Sequence, residues 1–129
     1  VRILLDTHVL LWALGQPERL DAEVQAALKN PANRVMFSAA SVWELAIKAG
    51  LGRTDFQVSP QAIVEAASAT GFVELPVGSA AALKVAALPH HHRDPFDRLL
   101  IAQALTEPAA LYTADSQLMA YPALVVDVR

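Results

Sequence analysis

The chain has 129 residues, 54% of them hydrophobic, no cysteine and a formal net charge of −3. That length suits a single domain over residues 1–129, able to bury roughly two-thirds of the surface its unfolded chain exposes. The missing cysteines exclude disulfides and thiolate chemistry and accord with a reducing, cytoplasmic setting. The apolar fraction exceeds the about 45–50% usual in soluble domains and leaves apolar surface for a partner. A negative chain is a poor match for nucleic acid, whose binders carry a basic footprint, unless its acids gather in a site that a metal neutralises. The opening VRILLDTHVLLWAL is interrupted by Asp6 and His8 and lacks the basic start and cleavage site of a signal peptide. It begins without Met, so an initiator residue is expected to be missing. No uninterrupted apolar run reaches the about 20 residues of a membrane span.

In chain order, Ile3–Leu5 predicts a short buried strand and His8 to Leu14 a helix stopped by Gly15. PERLDAEVQAALKNP predicts a second helix, closed by Asn30-Pro31. Arg34–Phe37 predicts a second strand, and Ser38 to Ala49 a helix punctuated by Gly50 and Gly52. The nearest thing to a loop is Leu51–Ser59. SPQAIVEAASATG has Ser59 as N-cap, Pro60 at the first helical position and Gly71 past the end. Phe72–Leu75 predicts a third strand, and GSAAALKVAALP a helix ended by Pro89. Helix signals resume at Asp94; Ala110–Thr113 and Leu124–Val128 predict the last two strands, with a short helix between them. Short, apolar, non-alternating strands that alternate with helices predict an α/β fold with a parallel sheet covered on both faces. Ligands of such sheets bind outside the carboxyl ends of the strands, so the polar residues there are the candidates.

Asp6 directly follows the first strand and Asp115 the fourth; for each, helix capping is an equally good account. Asp94 in RDPFDRLL is placed as an N-cap before Pro95. Asp97 is different. At about 100° per residue, Leu100, Ile101, Ala104 and Leu105 flank it on both sides. A carboxylate inside an apolar stripe is costly unless it is paired or coordinates a metal. Glu44 in SAASVWELAIKAGLG borders an apolar stripe, and an (i, i+4) ion pair with Lys48 accounts for it on its own. Four converging carboxylates would repel one another and persist best around a divalent cation such as Mg²⁺ or Mn²⁺. Taking those four negative charges from −3 leaves +1, so the acidity no longer argues against nucleic acid.

Four stretches together carry a resemblance: LLDTHVLLWAL, SAASVWELAIKAGLG, HRDPFDRLLIAQAL and LYTADSQL. In order, spacing and total length the chain resembles the PIN-domain nucleases, and within them the VapC-type toxins of toxin–antitoxin pairs. The resemblance covers essentially the whole chain. It implies a PIN-like three-layer fold, a short parallel sheet flanked by helices. It implies an acidic pocket of Asp6, Glu44, Asp97 and Asp115 that holds Mg²⁺ or Mn²⁺ and hydrolyses RNA phosphodiester bonds, with Asp6, Asp97 and Asp115 as the metal-binding members. It also implies a cognate antitoxin that blocks the pocket, and a homodimer. Asp94 is an additional acid in the DPFDR phrase and a candidate support for the site.

Thr7 and Ser38, at predicted strand ends, are candidates for a hydrogen bond to carboxylate or phosphate, with local capping as the alternative. Lys48 and Arg98, and less so Arg53 and Arg93, are candidate phosphate contacts, with ordinary surface charge or ion pairing as the alternative. Imidazole suits Zn, Cu or Ni better than Mg²⁺, and consecutive side chains point in different directions. The run His90-His91-His92 is therefore not the expected metal site. His92 is expected to shape its loop or touch RNA, and His90 and His91 to be solvated. His8 is expected to pack beside Trp12, and Trp12 and Trp43 to pack in the core, with any partner surface on the first two helices. Two rivals stay open. A metal-dependent phosphatase of the haloacid-dehalogenase type would want an acid where this chain has His8. A non-catalytic RNA- or protein-binding module is disfavoured by the complete acid set.

Overall fold

The computed structural model describes residues 1–51 and 58–128. The expected loop Leu51–Ser59 lies mostly outside the described residues, as do Gly52 and Arg53. Five strands form: β1 (Arg2–Leu5), β2 (Arg34–Ser38), β3 (Val73–Leu75), β4 (Ala110–Thr113) and β5 (Val125–Asp127). They make one sheet in the order β3-β2-β1-β4-β5, and every pairing is parallel. The helices described are α1 (Thr7–Gly15), α2 (Ala22–Lys29), α3 (Ala39–Gly50), α4 (Pro60–Thr70), α5 (Ser79–Val85) and α6 (Pro95–Thr106). This is the expected α/β architecture.

The pleat explains why the strands read as unbroken apolar runs. Successive side chains point to opposite faces, and both faces are covered. Ile3, Leu5, Val35 and Phe37 enter one core with Val9, Leu10, Val24 and Ala67 of α1, α2 and α4. Leu4, Met36 and Leu111 enter the other, with Ala81 of α5 and Leu100, Ile101 and Ala104 of α6. Each side chain so withdrawn from water is worth roughly 1.5–3 kcal/mol. Both cores therefore hold the same short sheet rigid between them.

Two helices differ from expectation. The segment from Pro17 is not one helix: a 3-10 turn, Pro17–Arg19, precedes α2. Asp21 is the cause. Its carboxylate accepts the Val24 amide at 2.8 Å, and it and Leu20 adopt extended backbone, which buries Leu20 in the core. A capping residue inside a helical pattern starts a new helix there. α5 ends at Val85, short of Pro89, and Ala86–Leu88 continue as i→i+3 turns. The guanidinium of Arg98 takes the Val85 and Pro89 carbonyls at 3.0 and 2.8 Å. It thus adds a second donor to the Val85 carbonyl, which already accepts the Leu88 amide, and a partner to the Pro89 carbonyl. At α4 the Ser59 cap, Pro60 and Gly71 fall as predicted, and Gly71 takes φ 97°, a conformation suited to glycine.

Candidate metal centre

In the sheet, β1 is followed by β2 on one side and flanked by β4 on the other, so the strand order reverses between β1 and β4. A crevice opens outside the carboxyl ends of strands at such a point. Asp6 follows β1, and Ala114 and Asp115 follow β4. A cavity of 440 Å³ lies there, lined by Asp6, Glu44, Asp97 and Asp115, with Thr7 and Lys48 among its other walls.

Asp6 is buried at 4% exposure and caps α1. One carboxylate oxygen accepts the Val9 amide at 2.8 Å; the other accepts the Thr113 hydroxyl and, at 3.3 Å, the Ala114 amide. Burial raises its pKa, and the hydrogen bonds from Thr113, Val9 and Ala114 offset part of that rise. Asp115 caps the 3-10 turn Ser116–Ala120 through the Gln117 amide at 2.9 Å. Asp94 caps α6, accepting the Phe96 and Asp97 amides at 2.8 and 3.3 Å. Capping and pocket lining are thus compatible: a cap turns a carboxylate toward a helix start, and three helix starts meet at the crevice.

Asp97, in the first turn of α6, is half-buried, and its pKa is raised from 3.8 to about 7. Burial is the main cause, followed by the negative charge of Asp94; His92 pulls the other way, and Asp6 and Glu44 add further repulsion. Glu44 reaches the cavity from α3. Its Oε1 lies 2.7 Å from the Thr7 hydroxyl and its Oε2 is 3.1 Å from Lys48 Nζ, the ion pair the spacing suggested. Thr7 Oγ1 is also 2.9 Å from Ser41 Oγ. A carboxylate can only accept, so the Thr7 proton goes to Glu44. Among the described residues, the group with metal-ligand spacing is His92, Asp97 and Asp115, with one ligand atom from each lying within 4.8 Å of the others.

Several expected roles are not where the sequence put them. Ser38 is fully buried away from the cavity; its hydroxyl caps α3 at the Ala40 amide, 3.0 Å, and donates to Gln103. Arg98 is buried at 8% exposure, with donors spent on two carbonyls and the Tyr121 hydroxyl, so it presents no guanidinium to a phosphate. The His8 ring does lie beside that of Trp12, centroids 6.3 Å apart, but His8 is exposed and lines the cavity. Trp43 is 61% exposed, edge-on to Phe96 at 5.3 Å. Trp12 is half-buried with the Arg19 guanidinium 4.5 Å above its ring. Among the described residues no exposed large apolar side chain sits on α1 or α2; three fall on and just after α3 (Trp43, Ile47, Leu51), and others are scattered, such as Leu83, Met119 and Leu124. His90 and His91 are exposed, but the His91 ring meets Tyr121 edge-on at 5.1 Å. His92 points among the acids. Thr113 escaped notice altogether; the available signal was a polar residue ending an apolar strand, two places before Asp115.

Solved structures share this fold at low sequence identity. VapBC2 from Rickettsia felis, bound to a DNA fragment from its promoter, aligns with TM-score 0.72 and 16% identity over 98% of each chain. DNA-bound VapBC from Salmonella typhimurium aligns with TM-score 0.69 and 15% identity, over 100% of this chain and 99% of that one. VapBC-5 from Mycobacterium tuberculosis, of the VapBC family of toxin–antitoxin systems, aligns with TM-score 0.63 and 23% identity, over 99% and 98%. No curated protein sequence matches the chain. The family model of the PIN domain matches residues 3–124, nearly the whole of the sheet and its helices. On that span the chain belongs to the PIN-domain family.

Proposed function

We propose that the protein is a metal-dependent endoribonuclease that hydrolyses RNA phosphodiester bonds, the toxin of a toxin–antitoxin pair. The observation that carries this reading is the convergence of Asp6, Glu44, Asp97 and Asp115 on one cavity at the strand-order switch. The donor set fits Mg²⁺ or Mn²⁺: carboxylate oxygens are the hard ligands such ions prefer. The raised pKa of Asp97, due first to burial and then to neighbouring carboxylates, marks a charge that a divalent cation would stabilise. Asp97 and Asp115, with Asp6 beside them, would hold the ion. When bound, it activates a water and stabilises charge on the phosphate.

The chain's own residues supply the positioning. Asp6 is held by three donors and Asp94 by two amides, so both carboxylates are aimed before substrate arrives. Glu44 closes the acidic wall, held by Thr7 and Lys48. Lys48 at the cavity and the exposed Arg93 beside it are the remaining described candidates for a phosphate contact, which would orient RNA without reading its sequence. A cognate antitoxin belongs to the same proposal and draws support from the VapBC structures, and a homodimer belongs to it on the resemblance alone.

The test is incubation of total cellular RNA with purified, antitoxin-free protein under Mg²⁺, Mn²⁺ or chelator, alongside Asp97→Asn. Discrete cuts that need metal and fall by about a hundredfold or more in the variant are expected. Folded protein that binds RNA and never cuts it would make the chain a binding module. Release of phosphate from a generic phosphomonoester would make it a phosphatase.

A further inference from the structure

His92 is the group in the cavity that the four acids leave unexplained. Its Nε2 is 2.8 Å from Asp115 Oδ2 and 3.5 Å from Asp97 Oδ2. By spacing alone, the three side chains form a candidate ligand set with one nitrogen and two oxygens.

The other ring nitrogen points to a different role. Nδ1 lies 3.0 Å from the Asp94 amide nitrogen and accepts its proton. A neutral imidazole has one N–H and one lone pair. With the lone pair of Nδ1 given to the amide, the ring proton sits on Nε2 and faces the carboxylates. A metal-ligating histidine has the reverse arrangement, with its lone pair toward the ion and its far nitrogen donating. Reversing His92 would set two protons against each other at Nδ1 and the Asp94 amide, at the very cap of α6. The His92 amide donates to the buried Tyr121 Oη at 2.8 Å, which fixes the main chain from which the ring projects.

We propose that His92 is a positioning residue, a fixed N–H donor that orients Asp115 beside Asp97, and not a ligand of the ion. Asp115 then has the Gln117 amide on one oxygen and His92 on the other. The donor set left to the ion is all oxygen, which favours Mg²⁺ or Mn²⁺ over Zn²⁺ or Ni²⁺. The consequence for metal binding rests on the nuclease reading; the position of the proton does not.

Long-range ¹H–¹⁵N NMR on the metal-free chain, labelled at histidine and held near pH 8, reads which nitrogen carries the proton. The expected pattern for His92 is protonated Nε2, unchanged when Mg²⁺ is added. A proton on Nδ1, or an Nε2 resonance that moves to a coordinated position with Mg²⁺, overturns the proposal. Calorimetric titration of Mg²⁺ adds a second reading. His92→Gln, which keeps an N–H donor, is expected to retain affinity within about threefold, while His92→Ala loses about tenfold. Equal losses in both variants would indicate a ligand, and no loss in either would remove the positioning role. If RNA is never cut but His92 shows protonated Nε2, the nuclease reading fails and the donor assignment stands.

Discussion

Asp97 stands half-buried beside Asp94, Asp6, Glu44 and Asp115, and folding, chiefly through burial, pushes its pKa from 3.8 up to about 7. Between those values the folded chain holds a proton that the unfolded chain releases. Stability from this group is therefore complete below about pH 4 and lost as pH rises through about 7, by at most on the order of 4 kcal/mol. Urea unfolding of the metal-free protein should show that decline, and Asp97→Asn should flatten it. The same slope in both proteins would mean that the strain lies elsewhere. Thr113 works in the opposite direction, since its hydroxyl helps keep Asp6 ionised. Thr113→Val keeps the shape and removes the donor. It should cost about 1–3 kcal/mol in the same measurement, with Asp6 left short of one partner in a buried site.

At the level of elements, caps and carbonyls matter more than propensity. Asp21 separates α2 from the turn before it. Asp21→Ala should cost about 1 kcal/mol in unfolding free energy and leave the cavity chemistry intact. Arg98 is the larger case. It is a cation in the first two turns of α6, and its position in the motif suggested phosphate. It is instead the partner of the α5 end and of Tyr121. Arg98→Met should destabilise by about 1–3 kcal/mol, because it removes the charged donor that ties α6 to Val85, Pro89 and Tyr121. It should leave the salt dependence of RNA binding unchanged, whereas Lys48→Met should reduce it. The Ser59–Gly71 helix signals were legible because capping is local chemistry. The fate of Arg98 was not, because its partners lie on segments that only packing brings near.

For the molecule as a whole, the site is a product of sheet order. Residues separated by more than a hundred positions, Asp6 and Ala114, share a hydrogen bond because β1 and β4 are neighbours. An ion that binds this assembled set and not the unfolded chain must stabilise the whole fold by mass action. Millimolar Mg²⁺ should raise the melting temperature at neutral pH by several degrees. Chelator should reverse the rise, and Asp97→Asn should largely abolish it. A melting temperature indifferent to Mg²⁺ and Mn²⁺ alike would count against the metal centre.

By itself the sequence determined the elements: buried apolar runs for strands, caps and breakers for helices, and an aspartate after β1 and after β4. These follow from side-chain period and local hydrogen bonding, which act over a few residues. Tertiary structure decided what each polar group does. It placed Ser38 and Arg98 in the interior, left Trp43 outside, turned His92 toward Asp115 and put Thr113 against Asp6. Whether a polar side chain is a ligand, a cap or a staple depends on burial and on partners far along the chain. Those are settled only when the sheet order brings the strand ends together.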